Sequence, residues 1–188
     1  VEAHLGRRIH GIGFEGVEPL SDFLISIHSE FAEAIFKGAK LWELRRAPPA
    51  KAGKHLFFVY EPKPKGAITG WFASSRVLLA SPRTLWKRVG QQSFLDRESF
   101  FEYFGDLPVG GGIEIGRTRR LQANLDLELL RTLDPGFRPP QNFERVEADH
   151  ALFRALRIQM PSLFEYEDGL HIACASPGTF DAFPGEGE

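Results

Sequence analysis

The sequence predicts an α+β domain, a small mixed β-barrel surrounded by short helices. Short apolar runs typical of strands are interleaved with segments of helical periodicity. Apolar residues make up 43% and charged residues 26% of the 188 residues, which is ordinary for a globular chain that buries a core. Strands and helices do not alternate regularly enough for a doubly wound parallel sheet.

Strands are predicted where apolar residues alternate with polar ones or run continuously. These segments are residues 22–27, 41–46, 55–60, 67–72 and 111–116, and residues 139–146 are predicted to be extended. In the second segment Trp42 and Leu44 share one face while Glu43 and Arg45 share the other, because side chains alternate along a strand. Trp42, Trp71 and Phe72 are therefore predicted to pack in the core.

Helices are predicted where apolar residues recur every three or four positions. Ser29 is the predicted N-cap of the first helix, and Gly38 is its predicted left-handed stop. Further helices are predicted at residues 82–89, 96–105 and 149–159, with a helix or long amphipathic turn at 125–133.

These elements predict three regions along the chain. Residues 1–20 form an N-terminal arm or linker, residues 21–147 form the domain, and residues 148–188 form an extension with one short helix and a loose tail rich in Pro and Gly. The first residue is not Met, which indicates a fragment or a processed chain and leaves open a neighbouring domain beyond the N-terminus.

Composition and motifs exclude several classes of function. The single cysteine, Cys174, excludes an intrachain disulfide and any zinc site that needs several thiolates. The scattered histidines and the lack of a phosphate loop or a Gly-x-Ser-x-Gly elbow predict no metal and no cofactor. No stretch approaches the ~20 apolar residues that span a bilayer, and the start of the chain lacks the apolar centre of a secretory signal. We therefore expect a cytoplasmic protein with no membrane partner.

Positive charge is concentrated in one part of a chain whose net charge is −2. Between Lys40 and Lys65 only Glu43 and Glu61 oppose the basic side chains. The basic residues there are Lys40, Arg45, Arg46, Lys51, Lys54, Lys63 and Lys65. Such a local basic face is typical of an anion-binding surface, and a solvated loop is the alternative.

The motif Gly38-x-Lys40-x-x-Glu43-x-Arg45 lies at the centre of this basic segment. Glu43 and Arg45 project from one face of a strand and can pair, while Lys40 lies where the strand begins. A carboxylate held by a cation can accept hydrogen bonds from the N–H groups of a base, and lysine and arginine can bind phosphate. The alternative is a surface ion pair that contributes ~0–1 kcal/mol.

The segment ISIHSEFAEAIFKGAKLWELRR resembles the N-terminal signature of the ASCH domain, a branch of the PUA-like superfamily. That signature is a strand, a helix and then Gly-x-Lys-x-x-Glu-x-Arg, which Gly38, Lys40, Glu43 and Arg45 match. Further segments resemble later parts of the family in order, and the resemblance spans about residues 22–147. These segments are HLFFVYEPKPKGAITGWF, SPRTLWKRVG, SFLDRESFFEYFG and PPQNFERV.

The resemblance implies a PUA-like barrel with a cleft between the barrel and the first helix, lined by the motif. It implies a module that binds nucleic acid, with RNA preferred, or a modified nucleobase in a nucleobase pocket, linked to transcription or translation. Lys40, Arg45 and Arg46 are expected to contact phosphate or a base, with Glu43 at a base edge. Tyr60 is expected either to stack on a base or to close the barrel. Lys63, Gln141 and Asn142 complete the predicted binding set.

Two enzymatic alternatives and one structural alternative stay open. Some small ASCH proteins remove the acyl group from acetylated cytidine with a lysine, a threonine and a glutamate. Here Lys40 matches the lysine, Glu43 occupies the threonine position, and the later strand 67–72 offers no matching glutamate. Cleavage of RNA is the second alternative, with Lys40 as the catalytic candidate. The third is a structural or protein-interaction domain.

Overall fold

A computed structural model describes residues 21–49 and 55–147, together with residues 150, 152 and 156. The predicted arm at 1–20 and most of the predicted extension, including Cys174, lie outside the described residues. Within them, eight strands form two sheets, accompanied by four α-helices. No helix in these ranges is long and apolar enough to cross a membrane.

The strands are β1 (Ser21–Ser26), β2 (Trp42–Arg45), β3 (His55–Glu61), β4 (Ala67–Ser74), β5 (Val77–Ala80), β6 (Gly110–Glu114), β7 (Thr118–Asp126) and β8 (Phe143–Val146). The larger sheet has the order β7-β4-β3-β1-β8, and the smaller sheet has the order β2-β6-β5. β1 and β3 run parallel, and all other pairings are antiparallel.

The two sheets replace the single barrel that the sequence predicts. They approach each other just after β6, where Ala73 exchanges backbone hydrogen bonds of 2.9 and 2.7 Å with Gly116 and Arg117. Ile115 N also donates to Leu41 O at 2.9 Å, beside β2. In the described ranges no strand pairing joins the sheets into a closed barrel. The mixed α+β class is confirmed, and the closed barrel is not found.

The helices are α1 (Ser29–Phe36), α2 (Pro82–Val89), α3 (Arg97–Phe104) and α4 (Leu127–Leu133). Gly38 ends the first helical segment with a φ of 73°, as predicted. The N-cap prediction is wrong by one residue: His28 is the N-cap, and the Ser29 hydroxyl bonds Glu61 instead.

Three clusters of buried side chains make up the described core. Alternate residues of β3 separate the first two: Phe58 and Tyr60 face one cluster, and Phe57 and Val59 face the other. The second cluster lies beneath α1 and reaches the smaller sheet through Ile113. The third lies under α2 and α3. Trp42, Trp71 and Phe72 are buried, which confirms their predicted place in the core.

Candidate functional site

The Gly38-to-Arg45 motif lies where α1 leads into β2. The left-handed turn at Gly38 reverses the chain, and Lys40 N donates to Ala34 O at 3.1 Å. Alternation along β2 then directs Trp42 and Leu44 into the third core cluster. Glu43 and Arg45 project from the opposite face of the strand.

Glu43 accepts contacts from both cations of the motif. Its Oε1 lies 2.8 Å from Arg45 Nη2, and its Oε2 lies 3.4 Å from Lys40 Nζ. The exposed fractions of Lys40, Glu43 and Arg45 are only 3%, 7% and 9%. This Lys40–Glu43–Arg45 triad is therefore a buried network, unlike the exposed surface pair that the sequence left as an alternative. The direct pairing of Glu43 with Arg45 agrees with the strand alternation.

Backbone and amide oxygens complete the coordination of the two cations. Lys40 Nζ donates to Ser93 O, across a sequence separation of 53 residues. Arg45 donates to Ser26 O at 2.7 Å and to Asn142 Oδ1 at 2.9 Å. These oxygens offset part of the cost of burying two positive charges beside one carboxylate. Arg45 Nε is buried and has no acceptor among the described residues.

The ionisation of Lys40 reflects its burial. Burial lowers the pKa of Lys40, and the nearby Arg45 lowers it further, while the Glu43 carboxylate acts in the opposite direction. Tyr103 lies beside the triad and donates its hydroxyl to Leu44 O at 3.2 Å. Burial is the main cause that raises the pKa of Tyr103. A lysine with a lowered pKa can lose its proton more readily than a solvated one.

Two phenylalanines border the triad. Lys40 Nζ lies 5.0 Å from the centroid of the Phe31 ring, in the first turn of α1. The Phe94 ring meets Phe31 edge-on, with centroids 6.4 Å apart. Phe94 follows Ser93, the acceptor for Lys40, and is 50% exposed. The triad thus has an aromatic margin that faces solvent.

The other predicted site residues lie at different distances from this network. Asn142 bonds Arg45 directly, and its Nδ2 donates to Ala47 O at 3.3 Å. Arg46 and Gln141 are exposed and adjoin Arg45 and Asn142 in sequence. Lys63 is exposed in the turn after β3. The structure therefore brings together Lys40, Glu43, Arg45 and Asn142, with Arg46 and Gln141 beside them.

Tyr60 lies on the other face of the larger sheet. It is 2% exposed, belongs to the first core cluster and packs against Phe137 with ring centroids 6.3 Å apart. Burial raises the pKa of its hydroxyl. A base cannot stack on this ring in the present arrangement. The placement corresponds to the core role that the sequence left open for Tyr60.

A second charged network joins the end of β3 to α1. Glu61 is fully buried, accepts from the Thr69 hydroxyl at 2.7 Å and lies 2.9 Å from Lys65 Nζ. Burial raises the pKa of Glu61, but hydrogen bonds from Ser29, Lys65 and Thr69 outweigh it, so the pKa is lowered overall. Arg120 pairs with both Glu61 and Glu33.

A groove of about 300 Å³ opens on the opposite side of β2 from Glu43 and Arg45. Its lining residues are Trp42, Arg76, Leu78, Arg88, Val89 and Gln92. Within the described ranges, no group of three histidine, cysteine, aspartate or glutamate side chains is placed to hold a metal ion.

Sequence reasoning missed Ser26, Ser93, Phe31, Phe94 and Tyr103. Ser26 and Ser93 act through backbone carbonyls, for which no side-chain pattern exists. Phe31 and Phe94 resemble ordinary apolar positions of a helix and a loop. The one usable signal was Tyr103, a polar aromatic three residues after the buried Phe100 and so on the same side of the helix.

Comparison with known proteins identifies structures of similar fold and a matching family model. A crystal structure of ASCH from Zymomonas mobilis superimposes with a TM-score of 0.66 at 24% identity, covering 72% of this chain and 94% of that one. A hypothetical protein from Leishmania major gives a TM-score of 0.50 at 12% identity, covering 79% and 99%. The chain therefore shares the mixed α+β fold of these structures.

Residues 25–109 match the family model described as the ASCH domain. A curated relative from Zymomonas mobilis, an ASCH domain-containing ribonuclease, is 28% identical over 119 residues, which cover 63% of this chain and 80% of the relative. The part of the chain that contains the Gly38-to-Arg45 motif therefore matches the ASCH domain, which confirms the resemblance that the motif predicted.

Proposed function

We propose that this ASCH domain binds RNA at the face formed by the Lys40–Glu43–Arg45 triad, Asn142 and the adjacent exposed side chains. The observation that carries the proposal is the imbalance of charge in the triad. Two buried cations share a single carboxylate, so the site has an excess positive charge in a region of low dielectric. A relative that aligns with this chain over 80% of its own length is named a ribonuclease. That name favours RNA over other anionic polymers as the ligand.

Each residue has a distinct role in this proposal. Lys40 is a positioning group, since Ser93 O and Glu43 already occupy its ammonium. Arg45 holds Asn142 in place by donating to its Oδ1. Arg46 is exposed and contacts phosphate, with Lys63 as a further phosphate contact, while Gln141 and Asn142 offer amides to a base edge.

A titration with fluorescently labelled RNA tests the proposal. Single-stranded and double-stranded RNA and the matching DNA are titrated at several salt concentrations, and affinity is expected to fall as salt rises. Arg46→Ala should reduce the slope of log K against log salt by about 1, because one phosphate contact is lost. Arg45→Ala should weaken binding more strongly, since it also releases Asn142.

The control variant is Arg83→Ala, which removes an exposed arginine from the first turn of α2, outside this face. It should bind RNA with nearly the affinity of the wild type. The proposal is wrong if the wild type binds no polymer, or if Arg83→Ala and Arg46→Ala weaken binding equally. Preference for DNA over RNA would contradict the choice of RNA.

RNA cleavage is a second candidate function. It is favoured by the lowered pKa of Lys40, which suits proton abstraction from a ribose hydroxyl, and by the name of the relative. End-labelled RNA incubated with the wild type should then yield fragments. Lys40→Met should abolish cleavage even at protein concentrations that bind all of the RNA, whereas Arg46→Ala should weaken binding but still cleave the RNA that it binds. Intact RNA with fully bound wild type would remove this candidate.

Deacylation of acetylated cytidine has less support from the site. The position that holds a threonine in those enzymes is Glu43, whose carboxylate contacts Lys40 Nζ at 3.4 Å. Incubation with 4-acetylcytidine, followed by chromatography for cytidine, tests this activity. Release of cytidine that depends on Lys40 would restore it as a candidate.

A further inference from the structure

We propose that Phe94 stacks on a nucleobase of the bound RNA. The inference rests on the proposed RNA binding and assigns the aromatic contact that Tyr60, buried on the other face, cannot make. Phe94 leaves half of its surface in solvent, whereas the large phenylalanines of the core are fully buried. An exposed ring beside a positively charged site is the combination that single-stranded nucleic acid uses, with bases on the rings and phosphates on the cations.

The backbone of Phe94 supports a functional role. Its φ is 62°, the left-handed region, and it is the only non-glycine residue with positive φ in the described ranges. A bulky side chain is a rare occupant of this region, where glycine or asparagine would relieve the strain. Strained residues of this kind persist where their surroundings fix them, and they concentrate at binding sites.

The neighbours of Phe94 fix its position on both sides. Ser93 N donates to Gly90 O at 3.1 Å, and the Ser93 hydroxyl donates to the same oxygen at 2.6 Å. Ser93 O in turn accepts from Lys40 Nζ. On the other side, Leu95 packs against the third core cluster and Asp96 caps α3 by accepting from Ser99 N at 2.9 Å. The backbone on either side of the exposed ring is therefore anchored, to Lys40 through Ser93 and to the third core cluster and α3 through Leu95 and Asp96.

The Phe94 ring also lies close enough to the triad for one RNA strand to contact both. Its edge-on contact with Phe31 connects it to the ring above which Lys40 Nζ lies 5.0 Å from the centroid. A base on the open face of Phe94 lies beside the triad. Its sugar and phosphate can then reach the exposed cations at the margin of the site. A purely structural role explains the contact with Phe31 but not the strained backbone or the exposed half of the ring.

The test compares Phe94→Gly, Phe94→Ala and Phe94→Trp. Each is titrated with fluorescein-labelled single-stranded RNA of about ten nucleotides, within the usual site size, and with an abasic oligomer of equal length. Gly and Ala should both weaken binding to the normal RNA by roughly 5- to 150-fold, as expected for the loss of one stacked base. Trp should retain binding, and none of the three should change the affinity for the abasic oligomer.

Two further readouts separate binding from folding and from the proposed function. Gly relieves the strain at φ 62° while Ala retains it, so Phe94→Gly should unfold at a higher temperature than Phe94→Ala although both bind equally weakly. The salt dependence of binding should be unchanged in all three variants, because no phosphate contact is lost. If the wild type binds and Arg46→Ala changes the salt slope, but Phe94→Gly binds normally, only the stacking role is wrong. Wild type that binds no RNA overturns both proposals.

Discussion

Lys40 illustrates how burial changes the chemistry of one residue. Its ammonium lies beside Glu43 and Ser93 O, yet burial lowers its pKa below the ordinary value of 10.5. The folded state therefore binds this proton less tightly than the unfolded chain does. Between the folded and the unfolded pKa the unfolded state carries more protons, so the free energy of unfolding rises with pH in that alkaline range.

Removal of the ammonium should remove this pH dependence. The Lys40→Met variant keeps an unbranched apolar chain in the same space, and its unfolding free energy should lack the rise that Lys40 contributes between the lowered pKa and 10.5. Urea unfolding of both proteins across the alkaline range measures the difference. Lys63→Met, which changes an exposed lysine, is the control and should follow the wild type. Parallel curves for wild type and Lys40→Met would contradict the expectation.

Part of the site was predictable at the residue scale. Strand alternation alone placed Glu43 and Arg45 on one face, and their 2.8 Å contact follows from it. The choice between core and site for Tyr60 was not predictable, because alternation states which residues share a face but not what covers that face. Ser93, whose carbonyl accepts from Lys40, lies 53 residues further along the chain, and Asn142, which accepts from Arg45, lies 97 residues further along. No local sequence pattern encodes such contacts.

The turn after α1 is the element that delivers Lys40 to the site. Gly38 has a φ of 73°, and a Cβ added there would meet nothing within 4 Å, so conformation alone decides the effect of substitution. Gly38→Ala should destabilise the protein by about 1–2 kcal/mol through left-handed strain. Gly38→Asn should cost less, because asparagine tolerates this conformation better.

Thermal or urea unfolding of the three proteins measures this order of stability. Equal stability of the alanine and asparagine variants would show that the turn conformation does not limit stability. RNA titration of Gly38→Ala adds a functional readout, since a shift of the turn moves Lys40 relative to Ser93.

Prediction of the elements succeeded for the well-buried strands β2, β3 and β4 and failed at the more exposed edge strands β5 and β7. Helix α2 matches its predicted bounds at 82–89. Strand β5 and most of β7 were missed, because β5 is partly exposed along its length and β7 buries only Leu121 and Leu125. Leu125 and Asp126 were assigned to the predicted 125–133 element but belong to β7, and Asp126 then caps α4 by accepting from Leu129 N at 2.8 Å.

At the scale of the whole molecule, Glu61 connects α1 to the larger sheet. It receives hydrogen bonds from Ser29 and Thr69 and contacts Lys65 and Arg120. Its pKa is lowered in the folded state, so its stabilising contribution is present above the unfolded value of 4.5 and is lost as pH falls through the folded value.

Glu61→Gln should therefore destabilise the protein near neutral pH, by about 1–3 kcal/mol for a buried hydrogen-bonded charge. The difference from wild type should shrink in acid, where the wild-type carboxylate becomes protonated. Chemical unfolding at neutral and acidic pH measures it. Glu33→Gln, which removes a more exposed partner of Arg120, should have a smaller effect. A deficit for Glu61→Gln that is constant with pH would contradict the linkage.

The sequence by itself determined the α+β class, the first three helices to within a residue or two, the pairing of Glu43 with Arg45 and the ASCH motif around Lys40. Each of these depends on spacing along the chain, which sets the residues that share a face. Only the tertiary structure decided that two sheets form in place of one barrel, that the triad is buried, that Tyr60 faces away from it, and that Phe94 lies at its margin. These features depend on which distant segments pack together. Hydrophobic periodicity predicts which side chains are buried, but it does not predict which segment covers them.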